Sequence, residues 1–133
     1  MSNDRTIVAS EDAPEAVGPY SQAVRAGGLL FCSGQIPLDP ASGEIRGKTP
    51  AEQTTRCLQN LAAVCAAAGT TLDRALRLTI YTTDLDAFAA INESYADFFA
   101  SQPPARAAVG VAALPKGATV EIDAIVAAPG RST

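Results

Sequence analysis

Over residues 51–68 the apolar side chains Cys57, Leu58, Leu61, Val64, Cys65 and Ala68 fall within about a third of a turn when successive residues are set 100° apart. Glu52, Arg56, Gln59 and Asn60 fall on the other side. A helix of this kind hides one face and wets the other, so it requires a second layer. Thr49-Pro50 supplies a cap and a first residue, and Gly69 a stop. The second layer follows directly: Leu76, Leu78 and Ile80 alternate with Arg77, Thr79 and Tyr81, a period of two that marks a strand. Helix on sheet is the packing these segments demand.

The remaining elements extend that pattern. Two short apolar runs flank Ala26-Gly27-Gly28, and a glycine pair accepts the positive φ of a tight turn, which predicts a hairpin over about 21–33. Its second arm, Leu29-Leu30-Phe31-Cys32, ends at Ser33-Gly34. Turn formers such as Asp39-Pro40 and Ser42-Gly43 then predict a long surface loop to Pro50. Thr83 and Asp86 have capping-box spacing ahead of a second helix with Phe88, Ile91, Tyr95 and Phe98 on one stripe, ended by Pro103-Pro104. Strands are predicted over 107–112 and 119–126. In the last, Val120, Ile122, Ala124 and Val126 share one face and Glu121, Asp123 and Ile125 the other. The fold class is α+β, with both helices on one sheet face. No repeat or linker divides the chain, so one domain over 1–133 is expected, with 129–133 as a loose tail. The second sheet face has no helix left to cover it, and meets solvent or another subunit.

Composition narrows the chemistry. With 47% hydrophobic and 18% charged residues the chain is too apolar for disorder, yet no apolar run reaches the ~20 residues of a membrane span. Met1-Ser2-Asn3-Asp4-Arg5 lacks a basic segment leading into an apolar one, so a cytoplasmic location is expected. A net charge of -4 opposes binding to nucleic acid. Cys32, Cys57 and Cys65 form no CxxC pair and read as reduced, packing thiols. There is no histidine. That removes Ser-His and Cys-His nucleophiles, His-ligated zinc and His bases, leaving carboxylates, arginine, tyrosine, backbone and water. No metal and no cofactor are expected.

Four residues stand out. Arg106 sits between Pro104 and an otherwise uncharged strand, where a planar guanidinium has the geometry to grip a small carboxylate; the plainer reading is a surface ion pair. Glu121 interrupts the apolar Val120-Glu121-Ile122 on the uncovered face, where a half-buried carboxylate orients or deprotonates water; otherwise it is a solvated or ion-paired strand residue. Tyr20, within Gly18-Pro19-Tyr20-Ser21-Gln22, offers a pocket wall and a phenol, or simply packing. Ser33, in Ser33-Gly34-Gln35, offers a hydroxyl and backbone amides, or only a turn.

The combination is more specific than its parts. Gly18-Pro19-Tyr20-Ser21-Gln22, Phe31-Cys32-Ser33-Gly34-Gln35-Ile36-Pro37, Pro104-Ala105-Arg106, and Leu114-Pro115-Lys116 followed by Val120-Glu121-Ile122-Asp123-Ala124 resemble the RidA (YjgF/YER057c/UK114) family in order and spacing. The resemblance runs over about residues 6–127.

It implies a chorismate-mutase-like fold, a six-stranded mixed sheet with two helices on one face, assembled as a homotrimer with clefts between subunits. It implies that Arg106 binds a substrate carboxylate, that Glu121 positions the hydrolytic water, and that Tyr20, Ser33 and Asn92 line the pocket. Where many family members carry cysteine this chain has Ala108, so no thiol role is carried over. The implied activity is hydrolytic deamination of reactive 2-imino acids, 2-iminopropanoate and 2-iminobutanoate, to 2-keto acids and ammonia. The alternatives are a noncatalytic binding or regulatory protein of the same fold that takes small carboxylates in the same cleft, or a related deaminase acting on aminoacrylate or 2-aminomuconate. RNA cleavage, attached to some relatives, is disfavoured by the acidic balance and the missing histidine.

Overall fold

A computed structural model describes residues 5–99 and 101–129. Its order is β1 (Thr6–Val8), β2 (Ala23–Ala26), β3 (Leu29–Gln35), α1 (Pro50–Ala67), β4 (Ala75–Thr82), α2 (Phe88–Ala96), β5 (Ala105–Gly110) and β6 (Val120–Ala127). The strands form one six-stranded sheet ordered β1-β2-β3-β6-β4-β5. Only β4 and β5 run parallel, joined through α2; the other pairs are antiparallel. This is the α+β mixed sheet with two helices that the sequence leads one to expect.

The local reasons are those of the sequence. Gly27 and Gly28 have φ of 60° and 78°, the turn geometry that lets β2 return as β3 without splaying. Thr49 caps α1 in a full capping box: its hydroxyl accepts from the Glu52 amide, and the Glu52 carboxylate accepts from the Thr49 amide. Gly69, at φ 79°, lets the chain leave the helix. The apolar stripe of α1 packs on β3 and β6, joining Leu30, Leu78, Ile80, Val120, Ile122 and Val126, all fully buried, in one core with Ile91 of α2.

Several expectations need correction. Asn60, placed on the wet side of α1, is buried; its amide donates to the carbonyls of Leu38 and Ile36 and ties down the loop after β3. That loop is therefore not wholly superficial, since Pro37 and Leu38 are buried and Leu38 bridges to Ile45. Thr83 does not cap α2. Its amide donates to the carbonyl of Thr119, the residue ahead of β6, so the chain is still tied to the sheet there, and a short 3-10 turn at Leu85–Ala87 precedes a helix with no side-chain cap. α2 ends before Phe98. β5 begins at Ala105 rather than 107, because a proline just ahead of a strand gives up no ladder hydrogen bond. Leu76 lies beside a register shift between Ala75 and Arg77 and is exposed. β1 was not foreseen. Of the expected tail, 130–133 lie outside the described residues, as do 1–4.

The uncovered sheet face carries Phe31, Tyr81, Val109, Glu121, Asp123 and Ile125, matched by register across β3, β6, β4 and β5. Phe31 is 44% exposed and Val109 41%, so a single chain leaves apolar surface in water on this face. No helix among the described residues is long and apolar enough to cross a membrane.

Candidate active site

Glu121 lies one residue into β6, paired with Tyr81 on the uncovered face. Facing it, β3 carries a register shift between Cys32 and Gln35, which places both Ser33 and Gly34 across from the Asp123 position. Such bulges re-aim side chains and open space at sheet sites. Gly34 provides that space: a Cβ on it would stand 2.0 Å from Glu121 Oε2, so the carboxylate occupies the volume a side chain would fill. Glu121, Ser33, Gly34 and Tyr20 line one cleft of about 400 Å³, whose apolar walls include Pro14, Val17, Ile36, Leu38 and Pro115. Burial, with a smaller push from Asp123, raises the Glu121 carboxyl above its ordinary range. The Asp123 carboxylate is itself engaged, accepting from Tyr81 Oη at 3.0 Å.

The cleft is held from several elements. Buried Gln22 donates to the Pro14 carbonyl at 2.7 Å and accepts from the Ser10 amide, fixing the segment that carries Pro14. Ser33 Oγ donates to the Ser21 carbonyl at 2.6 Å, so its proton is used internally and its lone pairs remain. Tyr20 is half-exposed at the rim, in a turn closed by its amide donating to the Gly18 carbonyl.

Arg106 lies elsewhere. It pairs with Leu78 across β5 and β4, and Leu78 is on the helix-covered face, opposite Glu121. There Arg106 Nη1 donates to Asn92 Oδ1 at 2.7 Å, and the guanidinium carbon sits 4.9 Å from the Tyr95 ring centroid and 5.2 Å from that of Phe88. Arg106 and Asn92 line a second concavity with Tyr95 and Phe99. Among the described residues the guanidinium makes no ion pair. Within one chain, then, the five expected site residues form two groups: Tyr20, Ser33 and Glu121 in one cleft, Asn92 and Arg106 in another. Ala108 follows two residues after Arg106 on the same edge strand, and the three thiols are free and buried in the core.

Sequence reasoning missed Gly34 as the seat of the Glu121 carboxylate, and Phe88 and Tyr95 as neighbours of Arg106. Ser33-Gly34 at a strand end was a visible signal for the first. The spacing of Phe88 and Tyr95 around Asn92 was a signal for the second, though the sequence places the two rings only on the packing stripe of the helix.

Comparison with known proteins places the chain in a family. A family model described as Endoribonuclease L-PSP matches residues 10–128. The chain belongs to that family, the RidA (YjgF/YER057c/UK114) family. The RutC family protein y4sK of Sinorhizobium fredii is 52% identical over 119 residues, 90% of this chain and 94% of that one. The human 2-iminobutanoate/2-iminopropanoate deaminase is 40% identical over 121 residues, 91% of this chain and 88% of that one. Among solved structures, E. coli TdcF with bound serine superposes with a TM-score of 0.86 at 40% identity, covering 96% of this chain and 99% of that chain. These relatives support a RidA-family function.

Proposed function

We propose that this protein is a homotrimeric hydrolytic deaminase that converts 2-iminopropanoate, 2-iminobutanoate and related 2-imino acids to 2-keto acids and ammonia. The observation that carries the reading is Arg106: a guanidinium steadied by Asn92 and two rings, with no acidic partner among the described residues, is a receptor for an external carboxylate. The human deaminase supports this substrate class, and the serine bound by E. coli TdcF supports a small-molecule ligand. The water-aiming group, Glu121, lies on the other sheet face, so a complete site requires Arg106 of one copy near Glu121 of the next. The exposed Phe31 and Val109 favour such an assembly.

The chemistry asks little of the protein. A protonated imine is already an electrophile; held by its carboxylate on Arg106, it needs only a water aimed at the imine carbon. Glu121, with its raised carboxyl, accepts a proton from that water as the C–O bond forms. The resulting carbinolamine collapses as its nitrogen, protonated by the Glu121 carboxyl, departs as ammonia, while the hydroxyl proton passes to solvent water and the C=O bond of the keto acid forms; the ammonia takes up that proton in solution as ammonium. Water is consumed, and the glutamate ends as it began. Phosphate-backbone chemistry is a poorer match, given net charge -4 and no histidine.

The test generates 2-iminobutanoate in place with an amino-acid oxidase, against semicarbazide as a competing trap. Catalytic amounts of protein should speed loss of the imine beyond spontaneous hydrolysis. No acceleration, with carboxylate binding retained, would favour the noncatalytic binding reading. Light scattering should return a trimer at micromolar concentration, and a monomer would remove the shared site. Activity should be the same before and after exhaustive chelation with EDTA; loss restored by one divalent ion would overturn the water-only route.

A further inference from the structure

Phe88, Asn92 and Tyr95 stand at i, i+4 and i+7 on α2, so they share one helix face. All three meet the same side chain. The Arg106 guanidinium carbon is 5.2 Å from the centre of the Phe88 ring and 4.9 Å from that of Tyr95, and Nη1 donates to Asn92 Oδ1 at 2.7 Å. Both ring distances lie within the range in which a cation is drawn to an aromatic face. Tyr95 is in turn set by Phe99, with centroids 4.8 Å apart, and is only 5% exposed. Arg106 itself is exposed. An exposed arginine on a long stem normally samples many rotamers and loses that freedom when it grips a ligand.

We infer that Phe88 and Tyr95 are positioning residues for the carboxylate anchor: their rings hold the guanidinium plane, Asn92 occupies Nη1, and the remaining N–H groups are left as the carboxylate-facing edge. The inference rests on the reading of Arg106 as the anchor for a 2-imino acid. It assigns a binding role to the ring of Tyr95 and none to its hydroxyl. Tyr95 Oη is buried and has no hydrogen-bond partner among the described residues, so the hydroxyl contributes nothing visible to the clamp. Pre-orientation of this kind acts on affinity more than on the chemical step, because the ordering is done before substrate arrives.

The half-buried Phe88 gives the cleaner test, since removing the Tyr95 ring also opens the core. The measurements are the Kd for 2-oxobutanoate by calorimetry, and KM and kcat for 2-iminobutanoate. Phe88→Leu should raise Kd and KM about 3- to 10-fold, the range of a lost cation–π contact, with kcat and trimer assembly unchanged. Phe88→Tyr and Tyr95→Phe, which keep their rings, should bind as the wild type does. In an Arg106→Ala background Phe88→Leu should have almost no further effect on kcat/KM. An undiminished loss in that background, or an unchanged Kd in Phe88→Leu, would overturn the clamp. A wild-type protein that binds 2-oxobutanoate without turning over imine would remove only the catalytic reading, and the clamp would stand or fall on the Kd values. A protein that does neither removes both.

Discussion

Arg106→Ala is expected to lower kcat/KM for 2-iminobutanoate by roughly 30-fold to 1,000-fold, on the order of 2 to 4 kcal/mol of transition-state binding. The side chain is exposed on an edge strand and, among the described residues, makes a single hydrogen bond, to Asn92, so the fold and the proposed trimer should survive its loss. Arg106→Lys should also lose much of the activity. An ammonium keeps the charge, but it is a point donor that cannot both offer a flat face to the Phe88 and Tyr95 rings near it and present two parallel N–H groups to a carboxylate. A long-range electrostatic role predicts the opposite, with Lys nearly as good as Arg. Steady-state kinetics on the two variants separates these cases. Full activity of Arg106→Ala in an intact trimer would end the assignment of the anchor.

The two halves of the site were unequally legible. Glu121 showed itself as a charge inside an apolar alternating strand, and its half-buried place in a cleft matches that oddity. Arg106 showed itself as a charge at the head of an uncharged strand. Their separation onto opposite faces did not, because a strand's alternation sets which residues share a face but not which face of the sheet an edge strand presents to a helix. The fold was legible where one local rule dominates, as in the Gly27-Gly28 turn and the capped α1. It was misread where tertiary contacts decide. Asn60 is polar by type and buried by its bonds to the loop carbonyls. Thr83 looks like a cap, but its amide is held by Thr119. The three-residue β1 has no periodicity long enough to read and exists through its pairing with β2.

Gly34→Ala is the companion prediction for the other half of the site, and it separates placement of Glu121 from its mere presence. The backbone of Gly34 is not in the left-handed region, so alanine suits the local chain, and the three atoms nearest its Cβ all belong to Glu121. Its Cβ would lie 2.0 Å from Oε2 and 3.0 Å from the carboxyl carbon, closer than nonbonded atoms approach, so the carboxylate must swing away. A general base displaced from its water is as good as absent, and kcat should fall about 100-fold or more, toward the value of Glu121→Gln. Binding of 2-oxobutanoate, which the proposed site assigns to Arg106, should stay within about 3-fold. Two further readouts make the argument specific. Glu121→Asp withdraws the carboxylate by one methylene, so Gly34→Ala added to Glu121→Asp should cost far less than Gly34→Ala alone, a non-additivity expected only of residues in contact. The second is pH. In the proposed mechanism the active form of Glu121 is deprotonated, so kcat/KM of the wild type is expected to fall as pH drops through a carboxyl that burial holds above its ordinary range. A carboxylate pushed into water loses that burial, and the acidic limb of the residual Gly34→Ala activity should move to lower pH. Undiminished kcat with an unmoved acidic limb would mean that Glu121 is not the group that aims the water.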